Sequence, residues 1–236
     1  MPVRAITFDF WATLFRDENG TARQQARARA FSEAAGVSEA AVAEAFKLTW
    51  SVFTFYHRDL HRTLGAEDAV RITSQTLGVT LRPRVARKLA GALGEAILEF
   101  PAVPIRGALD AVRSAAALCP VGLISDTGIS PGYALRQLLD RHGFTPFFTA
   151  LTFSDEVGVS KPEAPMFETA ARALNVKPNE LFHIGDLEPT DIVGAKAVGG
   201  QAALFAGEND QYRETTQADY AFENWEEFLS ALPKIL

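Results

Sequence analysis

The chain has 236 residues, 47% hydrophobic and 22% charged, with a formal net charge of -6. That acidic balance argues against a nucleic-acid partner, because such binding rests on neutralising phosphates with Lys and Arg; the single Cys119 excludes an internal disulfide and fits a reducing compartment. Met1-Pro2-Val3-Arg4-Ala5 runs into the first strand without a signal-like leader, and no run approaches the roughly 18 apolar residues of a membrane span, so a cytoplasmic protein with no membrane partner is expected.

The first element is Ile6-Thr7-Phe8-Asp9-Phe10-Trp11-Ala12-Thr13-Leu14. Its β-branched and aromatic residues predict a buried strand. Asp9 closes it at the carboxyl edge, where open α/β folds place their ligands. Alone, the same aspartate also suits a turn or a helix cap. After Leu14 the pattern is helical for about eighty residues, which predicts an inserted domain. Its helices are expected over Thr21 to Ala35, Ser38 to Thr63, Ala66 to Leu77 and Pro83 to Phe100, with Gly36, Gly65 and Gly78 as left-handed C-terminal caps and Ser38 as an N-cap. Pro101-Ala102-Val103-Pro104 ends the insertion, since proline cannot continue a helix. The domain boundaries expected are therefore 1–14 with 105–236 for the core and 15–104 for the insertion.

The second inserted helix carries Phe46, Trp50, Phe53, His57 and Leu60 along one face, a stripe that reads mainly as packing. Tyr56, His57 and His61 are candidates for facing a cleft. Arg23, Arg27 and Arg58 suit either an anion clamp or solvated surface, and surface is the commoner use of helical arginine.

From Gly107 the strand and helix alternation resumes. Helices are expected over Ala108 to Leu118, Pro131 to His142, Ala164 to Leu174 and Pro189 to Ala197, and strands over Val121 to Ser125, Phe148 to Phe153, Leu181 to Ile184 and Ala202 to Phe205. Strands separated by helices of about ten residues imply right-handed crossovers. The fold class is α/β, a Rossmann-like parallel sheet flanked by helices, with an all-helical insertion. Tyr220-Ala221-Phe222, then Trp225, Phe228 and Leu232, predict one more strand and a closing helix.

Polar groups follow these strands in a fixed order: Asp9 with Thr13, then Ser125-Asp126, then Lys161-Pro162, then Gly185-Asp186-Leu187-Glu188-Pro189-Thr190-Asp191. In that order the chain resembles the haloacid dehalogenase superfamily of hydrolases, in which the insertion is a cap. The resemblance implies that Asp9 is the nucleophile and that a covalent aspartyl intermediate is hydrolysed by water. It implies that Thr13 holds substrate or loop through its hydroxyl. Ser125 and the backbone around Asp126, Thr127 and Gly128 would cradle the oxygens of the transferred group, while Lys161 offsets the crowded carboxylates. It also implies a Mg²⁺ cofactor on Asp9, Asp186 and the Trp11 carbonyl, with Asp191 in support; hard cations of this kind take oxygen ligands. The substrate would be a small, anionic molecule.

Three features depart from the superfamily's phosphatases. Trp11 stands where they carry an aspartate acid/base, whose work is often worth roughly 10² to 10⁴ in rate, and indole does not titrate near neutral pH. Ala12 stands at a usual glycine, and Asp126 at a usual asparagine. The 2-haloacid dehalogenases carry an aromatic residue at the Trp11 position and need no leaving-group acid, but they do without Mg²⁺, whereas the Gly-Asp-x4-Asp motif is of the metal-binding kind. A Mg²⁺-dependent phosphatase, a dehalogenase-like hydrolase and a noncatalytic member that binds a ligand or partner therefore all stand as readings, the first being preferred. His57, His61 and Glu188 are the candidates for a relocated acid.

Overall fold

In the computed structural model, which describes residues 2–236, Ala5–Phe8 forms β1 with all four residues buried. Met1, counted in the expected core boundary, lies outside the described residues. β2 (Phe15–Arg16) precedes four helices, α1 (Gly20–Ala35), α2 (Glu39–Arg58), α3 (Ala66–Leu77) and α4 (Pro83–Glu99), and β3 (Val103–Pro104) follows them. The chain continues through α5 (Ala108–Ala116), β4 (Val121–Ser125), α6 (Gly132–Arg141), β5 (Ala150–Phe153), α7 (Ser154–Val157), α8 (Ala164–Ala173), β6 (Leu181–Gly185), α9 (Val193–Ala197), β7 (Gln201–Phe205), β8 (Tyr220–Phe222) and α10 (Trp225–Ile235).

The sheet runs β5-β4-β1-β6-β7-β8 with every pairing parallel, so the fold is the expected α/β class. β1 lies inside it, with Phe8 opposite Leu123 of β4 and Ile184 of β6. Both faces are covered, which is why these strands read as nearly continuous apolar runs. The period of two divides them: Ile6, Phe8, Leu123, Ile184 and Phe205 pack with α5, α6 and α10, whereas Ala5, Ile124, Leu181 and Leu204 pack with α8 and α9. Trp225 seals the first face, stacked on Phe205 with ring centroids 4.5 Å apart. The chain order turns from one side of β1 to the other after β5, and the ends of β4, β1 and β6 meet at that switch, where such sheets bind ligands.

The four inserted helices build a core of their own from residues such as Phe31, Val42, Phe46, Phe53 and Leu93, and Ile129 from the loop after β4 enters it. The two chain crossings are not free linkers: β2 and β3 pair antiparallel, Phe15 opposite Pro104 and Arg16 opposite Val103.

Several boundaries differ from expectation. α2 stops at Arg58 rather than Thr63, because the chain beyond it docks on the core: the Ser160 N–H donates to His61 O at 2.9 Å, and His61 adopts a left-handed φ of 49°. Gly65 is consequently not a C-cap but the extended residue that opens α3, its N–H donating to Asp68 Oδ2 at 3.1 Å. Gly36 and Gly78 are left-handed as expected, with φ 68° and 64°. The helix expected over Pro189 to Ala197 begins instead as a wide π-helical turn, Glu188–Ile192. A 3₁₀ turn over 145–147 precedes β5, which starts at Ala150 rather than at the expected Phe148, and α7 is an element the sequence pattern does not predict. Among the described residues no helix is long and apolar enough to cross a membrane.

Candidate active site

The backbone N–H of Asp9 donates to Ile184 O at 2.8 Å, which continues the β1–β6 pairing by one residue and fixes the aspartate at the sheet's edge. Lys161, only 2% exposed, reaches it: Nζ lies 2.6 Å from Asp9 Oδ1, 2.5 Å from Asp191 Oδ1 and 3.1 Å from Ile124 O. An ammonium has three N–H donors. All three are thus spent on protein acceptors, so the lysine acts on a ligand through its charge rather than through a spare hydrogen bond.

Asp191 is the best-anchored carboxylate of the group. Besides Lys161 it meets His183 Nε2 at 3.0 Å and accepts the Leu187 N–H at 3.0 Å. The wide turn brings it so close to β6 that a Cβ on Gly185 would lie 2.2 Å from its carboxyl carbon, which explains the glycine. Burial alone would raise its pKa, but the Lys161 charge and the His183 bond hold it below the usual carboxylate range. Burial, against the pull of Asp191, lowers the His183 pKa and keeps the ring neutral. Its Nε2–H then donates to Asp191, while Nδ1, 2.9 Å from Thr7 Oγ1, accepts from that hydroxyl.

The other two carboxylates are only partly compensated. Burial, aided by the charges of Asp191 and Asp186, raises Asp9 well above its ordinary pKa despite Lys161. Asp186 is pushed up to about 6 by burial and by Asp191, although Asn209 Nδ2 donates to it at 2.9 Å. Lys161 is raised because its carboxylate neighbours outweigh the cost of burying it.

Together these groups floor a cavity of about 350 Å³ whose lining also includes Trp11, Asp17, Arg23, Arg27, Trp50, His57 and the 126–130 loop. Asp126 ties this loop down, its Oδ1 accepting the Lys161 N–H at 2.9 Å and its Oδ2 lying 3.0 Å from His57 Nε2 of α2. Trp11 is half-buried against Phe10, and the Arg23 guanidinium sits over its ring at 5.9 Å. Ala12, at the usual glycine, adopts a left-handed φ of 51°.

Asp9, Trp11, Asp126, Thr127, Gly128, Lys161, Asp186 and Asp191 therefore converge on one cavity. Thr13 and Ser125 do not line it: Thr13 Oγ1 is buried without a partner, and Ser125 Oγ bonds the Asp126 carbonyl at 3.2 Å. The Thr127 N–H, expected in the oxygen cradle, is already held by Ser154 Oγ at 2.8 Å. Of the candidates for a relocated acid, His57 alone lines the cavity; His61 pairs with Glu163 at 2.8 Å, and Glu188 accepts from Thr216 and the Gln217 N–H. Arg23 and Arg27, for which surface was the commoner reading, are 4% and 3% exposed. Asp17, Gln24, Ser130 and Asn209 had no motif to announce them.

Whether Mg²⁺ suits this site is a question of donors and charge. Among the described residues no three His, Cys, Asp or Glu side chains close around a metal, but Mg²⁺ commonly takes one or two carboxylates and completes its shell with water and phosphate. Asp9 and Asp186 close neighbouring strands and supply hard oxygens only, and both are held above their ordinary pKa despite Lys161, so a cation beside them would favour their charged forms. The residues fit the ion.

A sequence profile of the haloacid dehalogenase-like hydrolases matches residues 3–199, and the chain belongs to that family. A glyceraldehyde 3-phosphate phosphatase of Pyrococcus furiosus is 34% identical over 91 residues, 38% of this chain and 36% of that protein; the matched stretch spans about a third of the relative's length. A 2-haloacid dehalogenase of Pseudomonas syringae superposes with TM-score 0.72 at 18% identity, covering 99% of this chain and 100% of that one. A hydrolase of the same family from Bacillus subtilis, solved with magnesium bound, gives 0.67 at 17% identity over 98% and 99% of the two chains. At these identities the structures show the fold alone.

Proposed function

We propose that this chain is a Mg²⁺-dependent phosphatase acting on a small phosphorylated molecule through a covalent aspartyl-phosphate. The observation that carries the reading is the pair of under-neutralised carboxylates, Asp9 and Asp186, at the floor of a small cavity beside a fully engaged lysine. A dehalogenase substrate brings a carboxylate and a carbon–halogen bond and gives Asp186 nothing to do. The phosphatase names among the relatives, the Pyrococcus enzyme included, lean the same way.

In this reading an Asp9 carboxylate oxygen attacks phosphorus as the bond from phosphorus to the leaving oxygen breaks. Water then attacks the phosphorus of the aspartyl-phosphate, the bond to Asp9 breaks, and inorganic phosphate leaves with Asp9 restored. Asp9, Asp186 and the Trp11 carbonyl would hold the metal, which when bound would supply positive charge to the phosphoryl oxygens. Lys161 keeps Asp9 aimed, Asp191 and His183 keep Lys161 in place, and the backbone of Asp126 and Gly128 is left to face the transferred group, the Thr127 N–H being held by Ser154. Trp11 excludes water from one side and offers no proton, so leaving groups that depart as stable anions are favoured. Residues 15–104 act as a cap hinged on the β2–β3 ribbon, whose closure dries the covalent step.

The test is release of phosphate from p-nitrophenyl phosphate or acetyl phosphate with and without Mg²⁺. Metal-dependent turnover that disappears in Asp9→Asn supports the reading; turnover of 2-chloropropionate without metal, and none of the phosphates, replaces it with dehalogenation, which the aromatic Trp11 favours.

A further inference from the structure

The lining of the cavity contributed by α1 carries a charge that the proposed reaction does not use. Arg23 and Arg27 lie four residues apart on α1, the spacing that sets two side chains side by side, and like charges so placed repel. Both are buried. Arg23 is compensated: it pairs with Asp17, donates to Phe100 O at 2.9 Å and sits over the Trp11 ring.

Arg27 is not. Its Nε donates to Leu93 O at 2.8 Å and its Nη2 to Ser130 Oγ at 2.9 Å, both uncharged acceptors. Among the described residues no carboxylate forms an ion pair with it. Burial and the neighbouring Arg23, against the weaker pull of the Asp17 charge, push its pKa down to about 9, so it keeps its proton at neutral pH. A guanidinium this buried is normally paired, because taking a lone charge out of water costs several kcal/mol. Arg27 lines the same cavity as Asp9, with Gln24, Trp50 and Ser130 around it.

Resting on the phosphatase reading, we propose that Arg27, backed by Arg23, receives a second anionic group on the substrate, which is therefore a compact phosphorylated acid or bisphosphate rather than a phosphate ester with a neutral tail. Arginine is suited to this, since its planar fork grips a carboxylate or a phosphate with two parallel bonds. The arrangement gives the cavity two poles: the reacting phosphoryl group lies at the strand edge with Asp9, and the second anion lies on the α1 wall. A volume of about 350 Å³ at the small end of ligand pockets limits the link between them to a short chain.

The test uses calorimetry on the full chain with Mg²⁺ and non-hydrolysable probes: phosphonoacetate, 3-phosphonopropionate and 4-phosphonobutyrate, each against the carboxamide that keeps the phosphonate but neutralises the second group, and bisphosphonates of the same lengths. At the matching length the acid or the bisphosphonate binds at least about tenfold more tightly than the amide, as expected for a charge-assisted pair, and whichever of the two binds better names the source of the anion. Arg27→Gln abolishes the preference and Arg27→Lys retains part of it. Equal binding of acid, bisphosphonate and amide at every length in the wild-type protein overturns the proposal, whether or not the Arg27 variants fold. If either preference is present but p-nitrophenyl phosphate is not hydrolysed, the subsite stands and the phosphatase reading falls; if no phosphonate binds, both fall.

Discussion

The Lys161 ammonium lies 2.5 Å from Asp191 Oδ1, and both side chains are essentially excluded from solvent. Asp191 was expected to support a metal; its geometry makes it first a lysine anchor, with His183 and the Leu187 N–H holding its remaining lone pairs. The charge balance of the whole site depends on this contact, since Lys161 is the ammonium set among Asp9, Asp126 and Asp191.

Replacing that ammonium by a chain of similar length isolates its effect. Lys161→Met leaves the buried carboxylates unpaired and should cost about 3–5 kcal/mol at pH 7, the range for breaking a buried pair by removing one partner. The cost should shrink toward pH 4 as the carboxyls take up protons. Chemical denaturation at the two pH values measures it; an equal loss at both would place the effect in packing.

Asp186 behaves in the opposite sense. Its folded pKa of about 6 lies above the ordinary 3.8, so the unfolded chain releases the proton first and this group costs stability as pH rises from about 4 to about 6. Asp186→Asn should therefore melt higher than wild type at pH 7 in EDTA, by on the order of 1–3 kcal/mol, and the gain should vanish below pH 4. Added Mg²⁺ should stabilise the wild type and leave the variant unmoved. A variant less stable than wild type at pH 7 would show that Asp186 is held by its Asn209 bond rather than strained.

Trp11 makes a kinetic prediction. With no acid at that position the rate should depend steeply on the leaving group, so that aryl and acyl phosphates are hydrolysed and alkyl phosphates scarcely at all. Trp11→Asp should raise the alkyl rate by roughly 10² or more, provided the loop survives losing the indole from Phe10 and Arg23. If the wild-type protein hydrolyses both classes equally with chemistry rate-limiting, His57 is the residue to mutate next, since it lines the cavity.

The same histidine joins cap to core, 3.0 Å from Asp126 Oδ2. Because the pair is part-exposed, His57→Gln should cost under about 1 kcal/mol in global stability. Amide exchange in the last turn of α2 should nevertheless quicken, while the strands stay protected. Unchanged exchange there would mean that the His61 and Thr63 contacts hold the cap without it.

Much of this was legible in the sequence, for reasons that differ by residue. Asp9, Asp126 and Asp186 each follow a short apolar run, so their meeting at one sheet edge follows from β-strand pattern and parallel topology. The Lys161–Asp191 contact was not legible, because it depends on how a loop folds back across 30 residues. Arg27 reads as surface on its helix; α4, through Leu93 O, and Ser130 of the loop after β4 are what bury it. The end of α2 was missed for a similar reason: local propensity carries the helix on toward Thr63, and docking of His61 on the core stops it.

The central claim is a covalent bond from phosphorus to Asp9. Enzyme quenched in acid during turnover of p-nitrophenyl phosphate, reduced with borohydride and digested, should yield homoserine in place of Asp9 in the peptide containing it, in a fraction that depends on substrate and Mg²⁺. Unmodified Asp9 in every digest, taken under conditions where an intermediate is shown kinetically to accumulate, or homoserine at another aspartate, would contradict the assignment.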